Sequence, residues 1–232
     1  MRRFVSGVAL FILFVSNNVR AADYLSIVTE YSPPNSMTVQ GEEVGAATTI
    51  VKAMLAQAQI GYRIKEYPWR RAYHEALVNS NTCVYSTTMT DERRPLFKWV
   101  GPILGDSWVA FSIETSQARI ASLDDLNAYR LGTSLGSARS AFLSENNLAS
   151  YEALTDELNI KMLESGRIDF WITSRRRGEY LLKSHGISNV RAMFPLNRVE
   201  YYLACNKDTP AAVIDKLNAA AVALRDGWAM LR

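Results

Sequence analysis

Two stretches of the chain hold residue types that could do chemistry. Gly132-Thr133-Ser134-Leu135-Gly136 fits the G-x-S-x-G pattern of a nucleophile elbow, and Asp169 and His185 follow in the order of one class of serine hydrolase. No His-Gly oxyanion motif precedes that serine, and any strand-to-helix turn needs small residues, so the constellation is incomplete. The second stretch is Thr90-Asp91-Glu92-Arg93. A guanidinium in a partly dry cleft forks onto a carboxylate through two parallel hydrogen bonds, which lysine cannot match. A charged turn holding Asp91, Glu92 and Arg94 is also where a solvated surface arginine would sit. His74 and His185, the two histidines, have no metal-ligand spacing, and neither metal nor cofactor is expected. The two cysteines, Cys83 and Cys205, read either as one disulfide or as a pair of buried thiols.

These residues must be positioned by alternating strands and helices. Tyr24 to Tyr31 is β-rich and closes at Ser32-Pro33-Pro34, which cannot continue a ladder. Ile50, Met54, Leu55 and Ala58 recur at helical spacing from Ala46 until Gly61 stops the pattern, and a short strand runs from Tyr62 to Pro68. Pro68-Trp69 opens a second helix carrying Ala72, Ala76 and Leu77, and Cys83 to Thr88 is a third strand. Beyond Gly101-Pro102 a second unit begins with the strand Trp108 to Ile113, then a short helix opened by the capping box at Ser122. A strand from Tyr129 to Thr133 feeds the helical Ala138 to Leu143. Thr155 caps a helix ending at Gly166, Ile168 to Ile172 is a strand, and a helix through Tyr180 ends at Gly186. Tyr201 to Cys205 is one more strand, and Thr209 caps a last helix through Leu217 to Gly227 with Pro210 at its first position. The pattern predicts a parallel α/β sheet divided into two units around a cleft, the usual seat of a small ligand.

The chain has 232 residues, 48% apolar and 21% charged, an ordinary globular composition large enough for a real core. Residues 1–21 read as an export signal: Arg2 and Arg3 precede the apolar run Val8 to Val15, and Val19-Arg20-Ala21 offers a cleavage site. That run falls short of a membrane span. Taking Arg2, Arg3 and Arg20 from 26 basic residues leaves 23, equal to the 23 acidic ones. A mature chain near neutrality has no general attraction to nucleic acid, so no nucleic-acid partner is expected. A soluble periplasmic monomer is.

The ordered set Tyr31-Ser32-Pro33-Pro34, Pro68-Trp69-Arg70-Arg71-Ala72, Ser86-Thr87-Thr88-Met89-Thr90-Asp91-Glu92-Arg93, Phe97-Lys98-Trp99-Val100-Gly101-Pro102 and Gly166-Arg167-Ile168-Asp169 resembles the extracellular solute-binding proteins of family 3. These are the amino-acid-binding proteins of ABC importers. The resemblance implies a bilobal type II periplasmic-binding-protein fold, a Venus flytrap of two α/β lobes with a two-strand hinge. Lobe 1 would take residues 22–106 and regain the chain at 200–232, with lobe 2 at 107–199. It implies that Tyr31 and Trp69 sandwich a ligand, that Ser86 and Thr88 give hydroxyl and backbone contacts, and that Arg93 holds a carboxylate. Gly136, Ser137 and Ala138 match the lobe 2 loop, with Arg139 beside it. The resembled fold also brings Cys83 and Cys205 together, leaving open whether they bond.

One departure changes the expected ligand. Where amino-acid binders place an acid for the ligand's α-amino group, this chain has Ser174, followed by Arg175, Arg176 and Arg177. A buried ammonium without a counter-charge is unfavourable. The pattern therefore favours a carboxylate that lacks that group or carries a second anion facing Arg139, unless a shift of a few residues brings in Glu179. The expected protein captures a small carboxylate-bearing solute and presents it to an ABC permease or a membrane sensor without catalysing a reaction. The alternatives are a hydrolase using Ser134 and a dehydratase on the same binding-protein fold.

Overall fold

The structure, a computed structural model, describes residues 24–225, so the expected signal and Gly227 lie outside the described residues. β1 (Tyr24–Thr29) buries Leu25, Ile27 and Val28, and the chain then forms a hairpin of β2 (Met37–Val39) and β3 (Glu42–Val44). Gln40 and Gly41 turn that hairpin with φ of 53° and 86°; it escaped the sequence reading because the dipeptide is not the usual Asn-Gly. α1 (Ala46–Gln57) buries Ile50, Val51, Met54 and Leu55. Its stop is the left-handed Gln59 (φ 56°), whereas Gly61 opens β4 (Gly61–Glu66). α2 (Trp69–Val78) starts directly after Pro68, and β5 (Thr82–Thr88) follows.

The second unit holds β7 (Leu131–Ser134), α3 (Ala138–Glu145), β8 (Ser150–Ala153), α4 (Asp156–Glu164), β9 (Phe170–Ser174) and α5 (Arg175–Ser184). Thr155 caps α4 by accepting from the Leu158 N–H, and Gly166 and Gly186 take the left-handed stops, with φ of 66° and 68°. The capping box at Ser122 opens a single 3₁₀ turn, Asp124–Ala128, in which the Asp125 carboxylate accepts from the Ala121 and Ser122 N–H groups. α6 (Ala211–Leu224) returns to pack on α1, with Pro210 rather than Thr209 at its cap.

Two 16-residue strands join the units, β6 (Lys98–Ile113) and β10 (Val190–Cys205), antiparallel from Val190 opposite Ile113 to Cys205 opposite Lys98. The sheet order is β4-β1-β5-β10-β6-β9-β7-β8. It is mixed, correcting the expected parallel sheet. β1 pairs parallel with β4 and β5, and β7 with β8 and β9, but β10 and β6 run against their neighbours. The return of the chain to the first unit imposes that reversal. The expected strands at Trp108 and Tyr201 are the ends of these long ones, whose alternation is broken by Gly101-Pro102 and by bulges. Cys83 and Cys205 face each other in register and form a disulfide.

Helices cover both faces of each half. In the first, Leu25, Ile27, Ile50, Met54 and Leu217 share one core while Val28, Ala72, Ala76, Val84 and Phe97 form another. In the second, Phe111, Trp171 and Leu181 lie on one face and Leu131, Leu143 and Phe170 on the other. Among the described residues, no helix is long and apolar enough to cross a membrane.

Candidate functional site

A cavity of about 390 Å³ lies between the halves, at the ends of β1, β5, β7 and β9. Tyr31, Trp69, Ser86, Thr88, Arg93, Ser137, Arg139 and Ser174 all line it. Tyr31 follows β1 and is half exposed, and Trp69 is the first residue of α2, its indole N–H donating across the cleft to the Gly136 carbonyl at 3.1 Å. Ser86 sits in a bulge of β5 opposite Tyr202 and Ala204, with a left-handed φ of 59°. Bulges re-aim side chains next to binding sites, and Ser86 Oγ is buried without a hydrogen-bond partner among the described residues.

Arg93 is held by its surroundings rather than by an acid. Its Nη1 donates to the Thr88 carbonyl at 3.5 Å and its Nη2 to the Gly136 carbonyl at 3.4 Å, while its guanidinium carbon lies 5.4 Å from the Trp69 ring and 5.2 Å from the Tyr73 ring. Desolvation lowers its pKa from the usual guanidinium value. Among the described residues no carboxylate pairs with it, so its fork is available to an anion.

The second unit contributes helix starts. Ser137 caps α3, accepting from the Ser140 N–H, and Arg139 Nη2 donates to Ser134 Oγ at 3.3 Å with its Nε buried and unpartnered among the described residues. Ser174, at the start of α5, is 2% exposed. It lies between Asp106, whose pKa burial raises, and Tyr201, whose phenol burial pushes up to about 12.

The sequence reading missed the charges beneath these residues. Asp156, in the first turn of α4, is 1% exposed and accepts from Trp171 Nε1 at 2.8 Å, from Ser134 Oγ at 3.0 Å and from Arg177 Nε. Arg177 also donates to the Tyr31 carbonyl at 3.3 Å, linking α5 to the opposite wall. Burial alone would raise the Asp156 pKa, but Arg177, Arg139 and the indole hold it below the usual value. Glu30, between β1 and Tyr31, also lines the cavity. Asp156 had a signal, as an acid just inside a capped helix, and Arg177 was one of three adjacent arginines. Glu30 had none beyond its place at a strand end. Glu179 lines a different cavity and pairs with Arg175.

The hydrolase constellation is not assembled. Ser134 donates to Asp156, Asp169 is taken by three bonds from Arg130, one from its backbone N–H at 2.8 Å and two from its guanidinium at 2.7 and 3.0 Å, and His185 Nδ1 contacts its own helix at the Leu181 carbonyl. The motif's glycines have structural reasons: a Cβ on Gly132 would stand 2.6 Å from Asn159 and Ile168, and Gly136 has a φ of 65°.

No protein-family model matches the chain, and no curated protein matches it. Solved structures do. An ancestral arginine-binding protein bound to arginine aligns over 89% of this chain and 94% of its own, at 19% identity and TM-score 0.77. A histidine kinase sensor domain with similarity to periplasmic binding proteins aligns over 89% and 92%, at 14% identity and TM-score 0.80. A substrate-binding protein of an ABC uptake transporter from Streptococcus pneumoniae, with bound histidine, aligns over 88% of both chains, at 18% identity and TM-score 0.75. The fold is that of the bilobal periplasmic binding proteins.

Proposed function

We propose that this chain is a solute-binding protein of the family 3 type, which captures a small carboxylate-bearing solute between its lobes and presents it to a membrane transporter or sensor. The observation that carries the reading is Arg93: a partly buried guanidinium beside two aromatic rings, in the cavity between the halves, with no acid of its own among the described residues. A carboxylate there would form the paired, charge-assisted bonds that repay its desolvation. Tyr31 and Trp69 would flank the solute, Ser86 and Thr88 would bond its carboxylate, and Ser137, Arg139 and Ser174 would close on it from lobe 2. The lobes would divide near 106 and 199, with β6 and β10 as the hinge, and closure would be a population shift driven by contacts made only when both lobes touch the solute. The fold's solved members named above bind amino acids or form a sensor domain, which supports capture over catalysis. The protein would be exported as a monomer after loss of residues 1–21.

A thermal-shift screen of small carboxylates and amino acids tests the reading. A ligand that binds only the folded state raises the melting temperature by mass action. At least one carboxylate should do so, and that shift should vanish in Arg93→Ala. A carboxylate-independent binder would contradict it.

A further inference from the structure

Hydrogen bonds cross the cleft in both directions, each from a side chain of one half to a backbone carbonyl of the other. Trp69 Nε1 donates to the Gly136 carbonyl at 3.1 Å, and Arg93 Nη2 donates to the same oxygen at 3.4 Å, both reaching from the first half to the loop before α3. Arg70 packs there as well, since a Cβ placed on Gly136 would stand 3.7 Å from its Cγ. Arg177 Nη1 returns the contact from α5, donating to the Tyr31 carbonyl at 3.3 Å, and three residues further along that helix the Tyr180 hydroxyl donates to Met37 Sδ on β2 at 3.8 Å. Because α3 and α5 cover opposite faces of the second half, the halves meet at two separate points. The backbone joining them is narrow. β6 pairs with β9 only from Trp108, and β10 with β5 only from Tyr201, so residues 105–107 and 198–200 pair with one another alone.

We propose that the Gly136 and Tyr31 carbonyls are closure catches, engaged by Trp69, Arg93 and Arg177, and that these protein-to-protein bonds hold a share of the closed form whether or not a solute is bound. Of the capture reading the inference uses the two-strand hinge and nothing about the solute. A backbone carbonyl accepts whatever side chains surround it, and on opening both it and its donor turn to water, so each bond contributes modestly. Their placement matters more than their number. A single catch would leave the lobes free to twist about it, whereas one at the α3 end and one at the α5 end restrain twist and opening together. The ion pair beneath the cleft serves the second catch: with its Nε bonded to Asp156, the Arg177 guanidinium is held in the orientation that reaches Tyr31. Trp69, Arg93 and Arg177 also line the cavity, so the groups that would face a solute are those that close the lobes. A solute then adds its contacts to an equilibrium that already exists.

The test needs no solute, so its outcome is separate from that of the capture reading. Trp69→Phe keeps a ring on the cavity wall and removes the N–H, which should lower the closed-to-open ratio roughly two- to tenfold. Arg177→Lys keeps a cation for Asp156 but lacks the fork that reaches Tyr31 at the same time, and so acts on the other catch. Small-angle scattering of the full protein, dialysed free of small molecules, should give a larger radius of gyration in Trp69→Phe than in the wild type, and a larger one again when the two substitutions are combined. NMR of the indole N–H groups supplies a readout that a local structural role would not move. The Trp69 proton, assigned by its loss in Trp69→Phe, should exchange with solvent roughly two- to tenfold faster in Arg177→Lys, although that substitution lies at the opposite catch. Urea unfolding of each variant checks that the fold is intact. A radius in Trp69→Phe and in the double variant equal to that of the wild type would overturn the proposal. So would a Trp69 proton that exchanges in folded Arg177→Lys at the wild-type rate.

Discussion

Arg177 and Asp156 bond to one another beneath the cleft, from α5 and α4, with side chains only 10% and 2% exposed. Their pairing neutralises the acid of lobe 2 and ties its wall to the Tyr31 carbonyl on the other side. Among the described residues, Arg93, Arg139, Glu30, Glu66 and Glu157 also line the cavity, and no ion pair joins any of them. The wall of the site is therefore braced by an internal ion pair whose two members both line the cavity.

Removing one member of that pair leaves the other charged and buried. Asp156→Ala should cost about 3–5 kcal/mol in equilibrium urea unfolding, whereas Asp156→Asn combined with Arg177→Met should recover much of the loss. The pH dependence has a definite sign. The folded pKa of Asp156 lies below its ordinary 3.8, so its stabilisation is complete above that value and fades as pH falls through the lower folded one. An Asp156→Ala protein as stable as the wild type at neutral pH would contradict this account.

The disulfide between Cys83 and Cys205 closes a loop of 122 residues and staples the returning strand β10 to β5. Chain-entropy arguments put its contribution at roughly 4–5 kcal/mol. Thiol titration of the unfolded, unreduced protein should find no free thiol, and Cys83→Ala with Cys205→Ala should melt well below the wild type. Two titratable thiols would contradict the bond.

Ser134 should behave as a structural hydroxyl. Its bond to Asp156 gives Ser134→Ala a cost of about 1–3 kcal/mol, since a charged acceptor loses a donor. No esterase activity should be present for that substitution to remove. A p-nitrophenyl ester assay that found activity lost in Ser134→Ala, with folding intact, would restore the hydrolase.

Much of the fold was legible because its punctuation is local. Gly166 and Gly186 end helices with the left-handed φ that only glycine adopts freely, and Thr155 caps α4 as its residue type predicts. The direction of β6 and β10 was not legible, because a strand pattern does not record whether its neighbour runs parallel. Among the arginines after Ser174, composition is identical and only helix phase differs; it turns Arg177 into the interior while Arg175 reaches Glu179 at the surface. Of the residues to which the resemblance drew attention, Tyr31, Trp69, Ser86, Thr88, Arg93, Ser137, Ala138, Arg139 and Ser174 line one cavity, and Gly136 does not. Glu30 and Asp156 reach that cavity from elements far apart in sequence, and no spacing along the chain encodes that.

The central claim is that Arg93 holds the solute's carboxylate, and calorimetry of the Arg93→Ala and Arg93→Lys proteins tests it most directly. With the carboxylate that gives the largest thermal shift, Arg93→Ala should weaken binding by a hundredfold or more, since roughly 3 kcal/mol is at stake when a desolvated carboxylate loses a bidentate partner. Arg93→Lys should recover only part of the loss, because an ammonium offers charge without the fork. Unchanged affinity in Arg93→Ala, with the fold intact, would contradict the account.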